Sequence, residues 1–181
     1  MELKLKTISK DGVAEALSKV ELYRYLNEPE EAESICNDIL AADPENQVAQ
    51  RLLGLTITDQ FEGQTSDRYA EAEKIFQALG DPYERIYYLG LLQERRAKAQ
   101  IRAGRPAHML VGSFQEAMRC FEEAEKIRPP HNDDAVLRWN RCVRLLEKIG
   151  EVQGESLESF LEDHDSAPVE MMRRSGDRGG K

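Results

Sequence analysis

A chain of 181 residues, 40% apolar and 33% charged, has the make-up of a globular protein of ordinary domain size. Its 34 acidic residues outnumber 25 basic ones, and a net charge of −9 argues against general nucleic-acid binding. No apolar run is long enough to span a bilayer, positions 1–10 lack a signal-peptide core, and Cys36, Cys120 and Cys142 stand far apart at apolar helix positions; a cytoplasmic protein with reduced, space-filling cysteines is expected, without metal, cofactor or membrane partner.

In chain order, residues 1–11 alternate charged and apolar side chains and form an N-terminal extension, in which Glu2 to Ile8 is the one weak strand signal. Helices are expected near 12–27, 29–42, 45–62, 67–79, 82–103, 114–128 and 133–149. Their starts are marked by Asn27 or Glu28 before Pro29, by Asp43 before Pro44, by Asp81 before Pro82 with Glu84 set to complete a capping box, and by the pair Ser113 and Glu116. Gly63, Gly80, Gly104 and Gly150 fall where apolar periods end, and Pro106 follows Gly104. Met109, Leu110 and Val111 lie between helices. Residues 151–181 hold 8 acidic and 4 basic side chains and lose all periodicity after Asp163, so they are expected to form an acidic, mostly disordered tail, with Val169 to Met172 as a candidate docking motif.

Three stretches repeat one another: Glu31-Ala32-x-x-Ile35-Cys36, Glu71-Ala72-x-x-Ile75-Phe76 and Glu116-Ala117-x-x-Cys120-Phe121. The Ala, the large residue four on and an apolar residue three after that share one helix face, and the Ala lets a second helix approach closely. A Pro follows at one offset in the first and third copies, as Ala32, Cys36, Ile39, Pro44 and Ala117, Phe121, Ala124, Pro129. This pattern is similar to the second half of a tetratricopeptide repeat, and the chain resembles that family over residues 12–150. The family's Leu-Gly pair in the first helix of each unit is matched by Leu53-Gly54 and Leu89-Gly90, with Lys19-Val20 in its place in the first unit. Val20 to Gly54 spans 34 residues and Val20 to Ala32 spans 12, both family spacings. The later units depart from it through a longer loop at Glu62 to Ser66 and through a first helix in unit three extended by about two turns, and the family's opening aromatic is replaced by Ala16, Gln50 and Ile86. The resemblance implies an all-α, short solenoid of antiparallel helix pairs, with units at about 12–44, 45–80 and 81–130 and a C-terminal capping helix at 132–149. Val136, Trp139, Val143 and Leu146 form the apolar stripe expected of that last helix.

Charge is unevenly spread. Residues 1–82 hold 8 basic and 17 acidic side chains, whereas residues 83–105 hold 6 basic and 2 acidic ones. Arg95, Lys98, Arg102 and Arg105 recur at helical spacing with Glu94 one turn from Lys98, which is either a solvated face or a docking strip for an acidic segment. First helices line a concave groove in the tetratricopeptide family, and by register that implies Leu17, Glu21, Arg24 and Tyr25 from unit one, Arg51, Leu55, Thr58 and Asp59 from unit two, and Tyr87, Leu91, Glu94, Arg95 and Lys98 from unit three. The protein-binding candidates are Arg24, Tyr25, Arg51, Leu55, Tyr87, Leu91, Arg95, Lys98 and Arg102. Glu21 stands where chaperone-binding members of the family carry Asn, which disfavours a carboxylate clamp of that type.

Chemistry has few footholds. There is no phosphate-cradling Gly loop, no His-Glu-x-x-His and no Cys pair at zinc spacing. His131-Asn132-Asp133-Asp134 suits an acid–base or divalent-ion site on paper, but its place after Pro129-Pro130 favours helix capping. The expected function is a non-enzymatic adaptor holding a protein segment in its concave face, an acidic segment if the basic strip takes part. A self-associating scaffold joined through the long third-unit helix and Met109-Leu110-Val111 is the alternative, and an enzyme or metal site at His131 to Asp134 is the last reading.

Overall fold

The computed structural model describes residues 3–62 and 66–151. Within them lie seven α-helices: α1 (Val13–Tyr25), α2 (Pro29–Ala42), α3 (Gln47–Asp59), α4 (Ser66–Gln77), α5 (Pro82–Arg102), α6 (Val111–Lys126) and α7 (Asp134–Glu151), with 3-10 turns at Lys10–Gly12 and Ala107–Leu110. Local chemistry sets most boundaries. Pro29 and Pro82 open α2 and α5, where a missing N–H costs nothing, and the Asp81 side chain accepts from the Glu84 backbone N–H at 2.9 Å. Asn46, rather than Asp43, caps α3 by accepting from the Ala49 N–H at 2.9 Å, so that helix begins two residues later than expected. Gly104 ends α5 at φ 84°, with its own N–H on the Ile101 carbonyl and the next N–H, of Arg105, reaching back to Gln100; this left-handed turn is one that a side chain would strain.

Each helix packs chiefly on its neighbours in the chain, and the pairs α1–α2, α3–α4 and α5–α6 carry the apolar core. Ala32, Ala72 and Ala117 are fully buried, as are Cys36, Phe76 and Phe121 four residues on. In the last two pairs the aromatic ring enters a notch cut by a glycine in the partner helix. A Cβ at Gly54 would intrude on the Phe76 ring, and one at Gly90 would lie 2.9 Å from both Cys120 Cβ and a Phe121 ring carbon. Unit one keeps the volume constant in another way: Val20 stands where the others have Gly, and Cys36 where they have Phe. Burial of each ring contributes on the order of 1.5–3 kcal/mol relative to exposure.

The odd-numbered helices also touch one another in sequence, and α2 and α4 are joined by an ion pair between Glu33 and Arg68 at 2.5 Å. The result is an all-α, solenoid-like stack with α1, α3, α5 and α7 as its inner row. Helix α3 sits in the middle, buried on every side from Leu52 to Thr58, and its Thr56 and Thr58 hydroxyls satisfy themselves on the Leu53 and Leu55 carbonyls at 2.8 Å.

Three expectations are corrected. Met109, Leu110 and Val111 do not lie outside the helices: Leu110 is buried and closes a 3-10 turn, so α6 starts at Val111 and Ser113 lies inside its first turn rather than at a capping box. Gly150 is helical, because α7 continues to Glu151. The stripe buried by α7 is Ala135, Cys142 and Leu145; of the expected Val136, Trp139, Val143 and Leu146, Leu146 packs at its edge on the core, whereas Trp139 is exposed. This setting of the helix turns Arg138 toward a buried carboxylate of α5, which an apolar-only reading of the helix does not weigh. Residues 1–2, 63–65 and 152–181, including Gly63 and the Val169 to Met172 motif, lie outside the described residues.

Candidate functional site

The inner row is held together by charges. Asp59 on α3 takes the Arg24 Nε–H of α1 at 2.7 Å and the Arg95 guanidinium of α5, so one carboxylate joins three successive inner helices. Arg95 also donates to Thr58 Oγ1 at 2.6 Å and to the Leu55 carbonyl at 3.3 Å. Two to three turns nearer the other end, Arg51 of α3 pairs with Glu84 of α5 at 2.5 Å. Burial alone would raise the Asp59 carboxyl, but Arg95 and Arg24 outweigh it and hold the group below the ordinary carboxylate value.

A second cluster joins α5 to α7. Glu94 is fully buried, and Lys98, one turn on and only 3% exposed, places Nζ 2.9 Å from its Oε1. Arg138 of α7 approaches the same oxygen at 3.5 Å. Burial pushes the Glu94 carboxyl up; Lys98 and then Arg138 more than reverse this, so the group stays ionised. Tyr87 lies beside this cluster, its phenol raised by burial against the pull of Arg138, and its ring packs between Tyr83 and Phe121. The Tyr83 hydroxyl donates to Asn132 Oδ1 at 3.1 Å, and the same oxygen accepts from the Asp134 N–H at 2.9 Å. Helix α7 is thus tied to α5 by a polar seam from its first residue to Arg138.

The residues singled out from sequence fall into two groups. Arg24, Arg51, Arg95 and Lys98 all sit on the inner row, and all are engaged in ion pairs within the chain. Leu55, Tyr87 and Leu91 are buried among them and present almost no surface. Tyr25, at 57%, and Arg102 are exposed, as is Arg105 beyond the end of α5. The even spacing of Arg95, Lys98, Arg102 and Arg105 therefore conceals a division, with the first two turned into the fold and the last two outward. Within His131 to Asp134, Asn132 caps and bridges, while Asp133 pairs with Arg128. Among the described residues no group of three His, Cys, Asp or Glu side chains is placed to hold a metal ion. The tie of Arg138 to Glu94 escapes sequence reasoning; the available signal was a cation one turn into α7 at a position flanked by apolar residues.

Helix α5 has 21 residues where α1 and α3 have 13 each, and the excess lies at its C-terminal end. The extra turns carry α5 about 10 Å beyond the end of α3 and leave Arg102 and Arg105 exposed at and just past its C-terminus. No helix among the described residues is long and apolar enough to cross a membrane. Comparison with protein families, with curated proteins and with solved structures finds no match for this chain.

Proposed function

We propose that the chain is a cytoplasmic, non-enzymatic adaptor of the tetratricopeptide kind, and that it holds an acidic segment of a partner protein against the inner row, at the rim where α5 outruns α3. The observation that carries this reading is the exposed basic end of α5, where Arg102 follows buried Lys98 by one turn and Arg105 lies three residues on, within a protein of net charge −9. Buried Lys98 and half-buried Arg138 fix the two helices on Glu94. An Arg fork at this end, such as that of Arg105, meets a carboxylate bidentately, which gives direction as well as attraction. Such pairing mainly accelerates encounter and is screened over about 8 Å at physiological ionic strength.

The test compares capture by the parent chain with capture by Arg102→Glu/Arg105→Glu, both immobilised and exposed to extract of the source cell, with bound proteins identified and their affinity measured at low and high salt. The proposal requires a discrete protein that the parent holds, that salt weakens and that the charge-reversed chain loses while its melting temperature stays unchanged. A partner held equally by both chains, independent of salt, would remove the rim from consideration.

A further inference from the structure

The most exposed apolar side chains in the described structure are not on the inner row. Leu3 and Leu5 are 85% and 95% exposed, in a segment outside any helix that leads to Ile8, whose side chain packs on the core. They alternate with Lys4 and Lys6, so that laid out as a strand the arm would present an apolar edge and a basic edge. Two leucines at this exposure within three residues are more than scattered surface apolarity accounts for.

A second apolar surface lies on α1. Leu22, Tyr25 and Leu26 are adjacent on one helix face and all are exposed. The repeat explains the exposure of Leu22. Leu22 stands two residues after Val20, as Thr56 follows Gly54 and Leu92 follows Gly90, and both Thr56 and Leu92 are fully buried. In α3 and α5 this face is covered by the preceding helix, α2 and α4 respectively. Helix α1 has no preceding helix among the described residues, and its patch is particular to it, since the equivalents of Tyr25 and Leu26 are Asp59 and Gln60 in α3 and Arg95 and Arg96 in α5.

We propose that the arm of one copy covers the α1 face of a second copy, reciprocally, so that each protomer gives Leu3 and Leu5 and receives them against Leu22, Tyr25 and Leu26. Charge commits the occupant to a second copy. Positions 1–10 carry three basic residues and one acidic, whereas positions 11–45 carry two basic and ten acidic, so the basic arm and its acidic receptor are both on this chain. A surface that bears both halves of a complementary pair is what a two-fold interface requires. Lys4 and Lys6 then pass over the acidic first pair, while the leucine edge lies on the helix. Five residues of extended chain, from Ile8 back to Leu3, reach about 17 Å, close to the length of α1. The contact lies on the outer end of the stack and does not involve the basic end of α5.

Sedimentation equilibrium of the full chain decides this. The parent is expected to be a dimer that loosens as salt rises. Leu3→Ser/Leu5→Ser and Leu22→Ser/Leu26→Ser should each sediment as monomers with unchanged helical circular dichroism, and an equimolar mixture of the two variants should recover part of the association, because one intact arm then meets one intact face. A monomeric parent would overturn the proposal, whether the arm lies on its own helix or serves another protein. A dimer that both variants preserve would overturn it equally. Because all four substituted side chains are already exposed, loss of association without loss of helix does not come from misfolding.

Discussion

Helices α2, α4 and α6 meet their partners through small residues, sulfur and aromatic rings, whereas α1, α3, α5 and α7 meet one another largely through charge. The two seams specify different things. Knob and notch fix the geometry inside each pair by volume, and they tolerate compensating exchanges such as Val20 with Cys36 for Gly54 with Phe76. Ion pairs between inner helices fix how one unit follows the next, and a carboxylate shared by Arg24 and Arg95 cannot be satisfied if α1, α3 and α5 lose register. Burying Glu94 and Lys98 stabilises the fold little compared with an apolar pair of the same size, so their use is better understood as setting the α5–α7 angle.

The difference between the seams can be broken from either side. Phe76→Ala empties the notch at Gly54 and should cost about 3–5 kcal/mol in denaturant unfolding. Glu94→Leu leaves the Lys98 ammonium buried without its carboxylate and should cost about 3–5 kcal/mol, while Glu94→Leu with Lys98→Met should return most of the loss. Gly54→Ala sharpens the comparison further. In the parent it should destabilise by about 1–3 kcal/mol through contact with the Phe76 ring. In the Phe76→Ala background the same change should stabilise, by about 1 kcal/mol, because only the helix preference of Ala over Gly remains. A sign that fails to change would mean that the ring does not occupy the notch.

Acid should act on the charged seam alone. The Asp59 and Glu94 carboxyls are held below their ordinary values of 3.8 and 4.5, so their contribution is fully present above those values and is lost as pH falls through the lower, folded-state ones. Stability measured by urea unfolding should therefore drop below about pH 4.5, and the drop should be smaller in Glu94→Leu/Lys98→Met. The smallest effect concerns the apolar seam. Burial pushes the Cys36 thiol up to about 12 and the Cys142 thiol up as well, so a thiol-specific reagent at pH 8 should modify half-buried Cys120 well before either.

Much of this arrangement is legible in the sequence. Ala32, Ala72 and Ala117 announce the close crossings, because a small residue recurring beside larger ones at helical spacing makes room for a second backbone each time. Asp81-Pro82 and Gly104 mark the ends of α5 through local hydrogen-bond chemistry, which does not depend on the rest of the fold. What the sequence conceals is the fate of its charges. Arg95, Lys98, Arg102 and Arg105 look equivalent along one helix, and only the position of α3 on one side and α7 on the other turns the first two inward. Arg138 is concealed for the same reason: whether a cation faces water or a buried carboxylate depends on a contact between α5 and α7, and helical periodicity holds no record of it. Leu110 misleads in the opposite sense, since three apolar residues after Gly104 and Pro106 resemble a loop until the core beneath them is known.

Hydrogen–deuterium exchange of the full chain with and without the protein captured by the parent bait tests the adaptor reading most directly, since it reads the inner and outer rows separately. Bound partner is expected to slow exchange in the last turns of α5, around Arg102, and along the facing side of α7, while α2, α4 and α6 are unchanged. Protection confined to the even-numbered helices, with α5 and α7 exchanging as in the free chain, would contradict it.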